Sequence, residues 1–307
     1  MPSLRSGLAA GVAAYLLWGL FPLYWPLLEP AAPVEILAHR IVWSLVFLAL
    51  VLAVSAHGYG YVRRLGRRRL GLLALAALLI TVNWGTFIHG VNSGHVVETS
   101  LGYFMNPLVS VALGVGLLGE RLRPAQRWAV GIAALAVVIL AADYGRLPWI
   151  ALTLAFSFGL YGLVKKRAGV GGTESLAVET ALLVLPALAY LAFLGVSGRG
   201  TFTTEGPGHM ALIAAGGIAT AVPLMLFGAA ANSLPLSTLG VLQYLAPVMH
   251  FAIGVLAYGE PMPLSRLGGF ALVWLALAVF TADAVRTARR DRGRPRPAEG
   301  DAEPVPA

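Results

Sequence analysis

Long apolar runs separated by short polar segments dominate the chain. A transmembrane helix needs about 20 consecutive, mostly apolar residues, and ten runs approach or exceed that length. The pattern therefore predicts an all-α polytopic membrane protein with ten transmembrane helices. The predicted spans cover residues 7–28, 34–55, 70–90, 97–118, 126–143, 148–164, 176–195, 209–230, 236–258 and 265–283.

The amino-acid composition supports a membrane protein. Hydrophobic residues make up 58% of the 307 residues and charged residues 12%, whereas a soluble domain carries about 25% charged residues. The mean hydropathy is +0.78. Cysteine is absent, which excludes disulfides and thiolate metal sites. The net charge of +8 does not indicate a nucleic-acid partner, because the basic residues lie in short loops and a tail, where membrane topology places them.

The two ends of the chain carry different signals. The first apolar run follows Arg5 and contains Trp18 and Trp25. It is longer than the apolar core of about 7–15 residues in a cleaved signal peptide, so we expect an uncleaved first span. Residues 284–307 are rich in arginine and proline, and we expect them to form a disordered cytoplasmic tail.

The distribution of basic residues predicts the orientation of the spans. With the N-terminus inside, 18 of the 22 lysines and arginines fall in the terminal or loop segments on the cytoplasmic side. Only Arg146, Arg199 and Arg266 fall in outer loops, and Arg40 lies within a span. Positive charge accumulates on the cytoplasmic side of membrane proteins. The bias therefore predicts ten spans with both termini in the cytoplasm.

A spaced motif occurs twice in the chain. The pattern P-x6-G-x4-G-E runs from Pro107 to Glu120 and again from Pro247 to Glu260. A shared helix-end signal would explain the glycine and the charge but not the matching proline. We therefore expect two repeats of five helices, residues 5–143 and 146–283. Because five is odd, the second repeat must be inverted in the membrane, as in many transporters.

Four segments resemble a known family. They are Glu35–Ser44 (EILAHRIVWS), Asn83–Trp84, Ser100–Pro107 (SLGYFMNP) and Gly240–Pro247 (GVLQYLAP). They are similar to the RarD branch of the EamA-type transporters, within the drug/metabolite transporter superfamily. The resemblance covers about residues 5–283. It implies ten helices in two inverted repeats, in a bacterial plasma (inner) membrane, that move small metabolites or drugs.

Arg40 is the leading candidate for a functional charge. It lies within the second predicted span, and helical spacing places Trp43 and Ser44 on the same face. Ionisable groups within spans are costly and usually face a cavity or a partner. Arg40 is expected either to bind an anionic group of the substrate or to pair with a carboxylate. The alternative is that its side chain extends to the outer lipid headgroups.

Glu179 is the second buried candidate, early in the seventh predicted span. A buried carboxylate takes up protons more readily than an exposed one, so Glu179 is a candidate for proton coupling. The alternative is a carboxylate near the inner surface, close to Lys165. One hypothesis is that Glu179 and Arg40 line the same cavity.

Uncharged polar side chains complete the candidate site. Asn83 needs a partner near mid-membrane, either a neighbouring helix or the substrate. A polar pair precedes each repeated proline: Tyr103 and Asn106 before the first, and Gln243 and Tyr244 before the second. Proline both kinks a helix and frees a backbone carbonyl. His250 is expected to be a bonded core residue. The expected substrate-binding residues are Arg40, Trp43, Asn83, Trp84, Tyr103, Asn106, Tyr161, Gln243 and Tyr244, with helix kinks at Pro107 and Pro247.

The sequence favours a transporter that does not hydrolyse ATP. Lysine occurs only at 165 and 166, and neither completes a phosphate-binding loop. We expect no metal or other cofactor. The expected partners are a small-molecule substrate, the lipid bilayer, a proton gradient and, as one option, a second copy of the chain. Export is favoured by the family resemblance. The alternatives are a non-transporting structural or regulatory membrane protein and, less favoured, a membrane-embedded enzyme.

Overall fold

A computed structural model describes residues 4–54, 66–118, 122–169, 172–231, 233–234, 238 and 242–292. Each of the ten predicted segments contains a helix, which confirms the all-α class. A 3-10 turn, Trp25–Leu28, follows the second helix, and a π-helical turn, Ile253–Ala257, follows the tenth. The helices are α1 Leu4–Gly19, α2 Phe21–Tyr24, α3 Pro33–Val54, α4 Arg67–Asn92, α5 Val96–Leu118, α6 Pro124–Tyr144, α7 Trp149–Ala168, α8 Gly172–Val196, α9 Pro207–Ala231, α10 Leu245–Ala252 and α11 Leu264–Arg292.

Several helices are long and apolar enough to cross a membrane. Within the described ranges, α3, α4, α6, α8, α9 and α11 qualify individually, and α1 with the helix that follows it forms a seventh, bent candidate. The helix Trp149–Lys165 and the segment Leu245–Ala257 are apolar but shorter. Large apolar side chains such as Trp128 remain exposed on the outside of the bundle. These features are those of a polytopic membrane protein.

The first predicted span is not one continuous helix. It breaks after Gly19, and its two parts meet at an angle of 41°. Pro22 and Pro26 follow the break, and proline is tolerated at the start of a helix but not in its interior. The break turns Phe21 and Trp25 inward, where both are buried.

The last helix, α11, extends beyond the predicted span 265–283. Residues 284–292, expected to belong to a disordered tail, continue α11 as far as Arg292. Alanine and arginine are good helix formers, and the first proline of the tail comes only at position 295. The rest of the expected tail, residues 293–307, lies outside the described residues.

The second copy of the repeated motif caps another helix. The Glu260 carboxylate accepts hydrogen bonds from the backbone N–H groups of Val96 (2.5 Å) and Val97 (3.0 Å), at the start of α5. Gly259 has a positive φ of 62°, and the Glu260 N–H donates to the Gly254 carbonyl (2.9 Å). This is a glycine-dependent helix termination. In the first copy, Gly119 and Glu120 lie outside the described residues.

Candidate functional site

The polar site is built around Arg40, which lies in α3. Its side chain is buried, and its Nε donates a hydrogen bond to the Thr220 hydroxyl in α9 (2.6 Å). The Thr220 hydroxyl in turn donates to the Gly216 carbonyl (2.8 Å). A helix from each half of the chain therefore holds the guanidinium group.

Aromatic rings enclose the guanidinium group of Arg40. Its central carbon lies 4.0 Å from the ring centroid of Trp84, 5.2 Å from that of Trp25 and 5.6 Å from that of Phe21. A cation over the face of an aromatic ring is stabilised by the quadrupole of the ring. We call Phe21, Trp25 and Trp84 the aromatic cage. It explains how α3 accommodates a charge inside the bundle.

The hydrogen-bonding capacity of Arg40 is only partly used. Its Nη1 is buried and has no hydrogen-bond partner among the described residues. No carboxylate in the described ranges forms an ion pair with it. The side chain is enclosed by the bundle, which favours a role inside the protein over extension to the lipid headgroups. Arg40 is a buried cation with a free donor.

Asn83 and Tyr103 form the polar wall beside the aromatic cage. The Asn83 amide nitrogen donates to the Leu154 carbonyl (2.9 Å) and to the Ser157 hydroxyl (3.0 Å), both in α7. Its oxygen accepts a hydrogen bond from the Tyr103 hydroxyl (3.2 Å). Asn83 therefore ties three helices together, the helix-bridging role that the sequence left open beside substrate contact.

His250 lies in the same region and is buried and hydrogen-bonded, as expected for a bonded core residue. Its ring lies 5.1 Å from the Phe87 ring and 5.8 Å from the Tyr103 ring, measured between centroids. Its Nε2 donates to the Trp18 carbonyl (3.0 Å), and its buried Nδ1 has no partner among the described residues. The sequence pattern does not single out Phe21, Trp25 or Thr220. The proline-interrupted aromatic sequence FPLYW was the only local signal for the first two.

Trp43 shares the Arg40 helix but not its cage. Its ring packs near Phe202 (6.1 Å between centroids), and its buried Nε1 has no partner in the described part of the chain. Gly217 in α9 lies against the Trp43 backbone, so closely that a Cβ at position 217 would come within 2.4 Å of it. Helices α3 and α9 therefore meet backbone to backbone beside the site.

Glu179 belongs to a separate polar cluster. Its carboxylate accepts hydrogen bonds from the hydroxyls of Ser175 (2.5 Å) and Tyr161 (3.1 Å), and it pairs with the Lys165 ammonium (3.1 Å). These contacts share no residue with those of Arg40. The pairing with Lys165 is the one that the inner-surface alternative predicts.

The polar pairs before the two prolines do not occupy matching surroundings. Asn106 is buried, and its Oδ1 has no partner among the described residues. The Tyr244 ring packs against an apolar cluster formed by α5, α6, α7 and α11, which is separate from the cluster that contains Phe21 and Trp25.

The two motif prolines also differ in position. Pro107 lies inside α5, as predicted for a kink site. Pro247 lies in the first turn of α10, where a missing backbone donor costs no hydrogen bond within the helix. Pro247 therefore does not kink a continuous helix among the described residues.

The cavity next to Arg40 is nearly closed. It has a volume of about 10 Å3 and is lined in part by Ser44, Trp84, Thr180 and Thr220, which leaves room for about one water molecule. A larger cavity of about 250 Å3 lies at the start of α3, lined in part by Glu35, His39 and Phe202. The Glu35 carboxylate there accepts hydrogen bonds from the Thr201 backbone (2.7 Å) and hydroxyl (3.1 Å).

Comparison with known proteins identifies the family. The sequence profile of the EamA-like transporter family matches residues 5–142. The protein RarD of Streptomyces exfoliatus is 58% identical over 292 residues, covering 94% of this chain and 92% of the relative. RarD of Escherichia coli K12 is 40% identical over 288 residues, with 93% and 97% coverage. A Pseudomonas aeruginosa relative, 31% identical over 294 residues with 94% and 97% coverage, is named chloramphenicol-sensitive protein RarD.

A solved crystal structure shares the fold. It superposes with a TM-score of 0.57 at 22% sequence identity and covers 92% of this chain and 99% of its own. The family and the apolar helices together identify a membrane transporter, a multi-pass protein of the bacterial inner membrane. The chain belongs to the RarD branch of the EamA-like transporter family.

Proposed function

We propose that this transporter is a secondary carrier that exports small metabolites or drugs. In this proposal, two inverted five-helix repeats, residues 5–143 and 146–283, rock about a central site in alternating access. The carrying observation is the caged Arg40, whose Nη1 is buried without a partner among the described residues. A structural protein has little reason to bear the cost of such a charge.

The helix contacts support the inverted repeat. If α1, α3, α4, α5 and α6 correspond to α7, α8, α9, α10 and α11, each of three contacts between the halves has a counterpart in which the two halves exchange roles. The contact of α4 with α7 has its counterpart in that of α9 with α1, and the contact of α5 with α7 in that of α10 with α1. The contact of α3 with α9 likewise has its counterpart in that of α8 with α4. A pseudo-two-fold axis between the halves predicts this pairing.

Contacts between the ends of the predicted spans support the ten-span arrangement, and the cytoplasmic position of the termini rests on the distribution of basic residues. If every predicted segment crosses the membrane, loops that touch must lie on the same side. Contacts that join predicted outer regions are Glu35 with Thr201, Glu98 with Arg146, Asp143 with Arg266, and Glu260 with the start of α5. Arg123 pairs with Asp283 (2.8 Å), and both lie in predicted inner regions. No contact among these crosses the predicted membrane.

Proton coupling is assigned to Glu179 in the same proposal. Its carboxylate is buried but pairs with Lys165, so protonation would release the ammonium group and loosen the contact between α7 and α8. We expect Glu179→Gln to remove the dependence of transport on a pH gradient. Transport by this variant that still follows an imposed pH gradient would contradict the coupling role.

Transport by the purified chain tests the carrier function. The chain is reconstituted into liposomes, and counterflow is measured for chloramphenicol, suggested by the relative's name, and for a uniformly labelled bacterial metabolite extract. A carrier gives flux that saturates with concentration and is stimulated by solute on the opposite side. We expect Arg40→Gln to abolish this flux and Arg199→Gln, a change at an exposed arginine, to preserve it.

The alternatives give different results in the same assay. A pore gives flux that rises linearly with concentration, and a non-transporting protein gives no flux above that of empty liposomes. Either result would contradict the proposal.

A further inference from the structure

Two buried polar atoms near Tyr103 have no hydrogen-bond partner among the described residues. One is Arg40 Nη1, and the other is His250 Nδ1; both are buried, and neither has a partner among the described residues. Tyr103 packs against the apolar cluster that contains the cage residues Phe21 and Trp25, and its ring lies 5.8 Å from the His250 ring. Buried polar atoms are nearly always hydrogen-bonded in native proteins, so two free ones around a single residue point to a ligand.

The chemistry of His250 follows from its one hydrogen bond. A carbonyl oxygen can only accept, so the bond from Nε2 to the Trp18 carbonyl (3.0 Å) requires the proton on Nε2. In the neutral imidazole, Nδ1 then carries a lone pair and is an acceptor. The neighbouring rings of Phe87 and Tyr103 hold the imidazole in place, and no described residue donates a hydrogen bond to this lone pair.

The chemistry of Arg40 is the complement. Its Nε is used by Thr220, while Nη1 is a charged donor. The aromatic cage stabilises the cation but supplies no hydrogen-bond acceptor. Because no described carboxylate neutralises the guanidinium group, an anionic ligand would satisfy both its charge and its free donor.

Resting on the proposed carrier function, we propose that the substrate is a small organic anion that also carries an O–H or N–H donor. Its anionic group binds Arg40 Nη1, and its donor binds His250 Nδ1. The apolar part of the substrate lies against the aromatic rings of the cage and of Phe87. Neutral molecules bind less well, because they leave the charge of the guanidinium group uncompensated. Cationic molecules bind less well because the guanidinium group repels them.

Three matched probes separate the two contacts. Mandelate has a carboxylate, a hydroxyl and an aromatic ring; phenylacetate lacks the hydroxyl, and mandelamide lacks the charge. Binding to the purified full chain is measured by tryptophan fluorescence and thermal stabilisation at constant ionic strength. We expect mandelate to bind about tenfold or more tightly than mandelamide, the range for hydrogen bonds to charged groups, and about three- to tenfold more tightly than phenylacetate.

Variants assign each preference to its residue. Arg40→Gln should abolish the preference for mandelate over mandelamide, whereas Arg40→Lys should retain it. His250→Phe should abolish the preference for mandelate over phenylacetate, and His250→Gln should restore part of it through its amide oxygen. Arg199→Gln is the control and should preserve both preferences. Ligand-induced shifts report only folded protein, so loss of folded material does not imitate loss of binding.

The comparison in the unaltered chain decides the substrate class without any variant. Equal binding of mandelate and mandelamide, or no binding of mandelate, would overturn the anionic class. Unchanged preferences for mandelate in Arg40→Gln or His250→Phe would overturn the assignment of the ligand contacts to these residues. Arg40 would then be a cation that only packs the helices and holds a trapped water. Saturable counterflow of chloramphenicol together with equal binding of the probes would refute this inference while preserving the carrier function.

Discussion

Asn83 and Arg40 are both buried polar residues, but their hydrogen bonds are satisfied to different degrees. The Asn83 amide nitrogen donates hydrogen bonds to α7, and its oxygen accepts one from Tyr103. Its role is therefore to hold the wall of the site in place. Arg40 has one described hydrogen bond and a free Nη1. At the residue scale, unused capacity separates a binding group from a structural one.

Replacing Asn83 should destabilise the protein. Asn83→Ala leaves the hydroxyls of Ser157 and Tyr103 without this partner, which costs about 1–3 kcal/mol when the groups are buried. The measurement is the apparent unfolding temperature of the purified protein. The matched control is Asn92→Ala, because Asn92 Oδ1 has no partner within the described ranges. Equal destabilisation by both changes would contradict the bridging role of Asn83.

The sequence identified some residues of the site and missed others for a physical reason. Arg40, Asn83 and Trp84 stand out because polar or amphipathic groups within apolar runs are costly. Thr220 and His250 come from distant segments, and nothing in the local pattern shows that Thr220 meets Arg40 or that His250 meets Tyr103. Tyr244, like Tyr103, precedes a motif proline, but repeats that share a backbone plan need not share side-chain surroundings.

At the scale of elements, the start of α5 is capped by Glu260, which lies 163 positions after Val97 in the sequence. The Glu260 carboxylate accepts the N–H groups of Val96 and Val97 and so caps the start of the helix that carries Tyr103 and Asn106. The motif from Pro247 to Glu260 is therefore a device that joins two helices, and the sequence pattern alone did not reveal its partner.

Removing the Glu260 cap should destabilise the protein modestly. Loss of a helix cap costs about 0.5–2 kcal/mol, so Glu260→Ala should lower the unfolding temperature. Glu205→Ala, a change at an exposed glutamate, is the control and should have little effect. Equal unfolding temperatures for Glu260→Ala and the unaltered chain would contradict the capping role.

The Glu260 cap should also make stability depend on pH. Burial raises the pKa of the Glu260 carboxyl above its ordinary 4.5, and the hydrogen bonds from Val97 and Val96 only partly offset this effect. The folded state therefore binds the proton more tightly than the unfolded state, and stability falls as pH rises from about 4.5 through the raised pKa. Relative to Glu260→Gln, the unaltered chain should lose stability across that window. A difference between the two that does not vary with pH would contradict this sign.

Two glycines of α9 should respond oppositely to alanine. At Gly217 a Cβ would collide with the Trp43 backbone, whereas at Gly228 no atom lies within 4 Å. Gly217→Ala should separate α3 from α9 and lower the unfolding temperature. Gly228→Ala should raise it slightly, because alanine is favoured over glycine within a helix by about 0.5–1 kcal/mol. The same direction of change at both positions would contradict the close contact.

At the scale of the whole molecule, the hydrophobic pattern located a helix in each predicted segment, because the bilayer imposes a length and a polarity on every span. The pattern did not predict the break after Gly19, because an apolar run has the same composition whether or not proline bends it. Nor did it predict that α11 continues to Arg292, since charge content alone does not stop a helix.

The proposed orientation has a direct test, because the chain has no cysteine. Single cysteines at Glu205 and Arg69, both exposed, should label from opposite sides of the membrane. A membrane-impermeant maleimide should modify Glu205→Cys in intact cells and Arg69→Cys only after the cells are permeabilised. Labelling of both variants in intact cells would contradict the proposed ten-span arrangement.

The closed cavity beside Arg40 has a thermodynamic consequence. A space of about 10 Å3 cannot hold an organic solute, so binding requires a more open conformation. If the unliganded protein populates that conformation only as a minor fraction, the measured dissociation constant equals the intrinsic one divided by that fraction. A change that wedges α3 away from α9 without touching the guanidinium group would therefore tighten binding while adding no contact to the ligand.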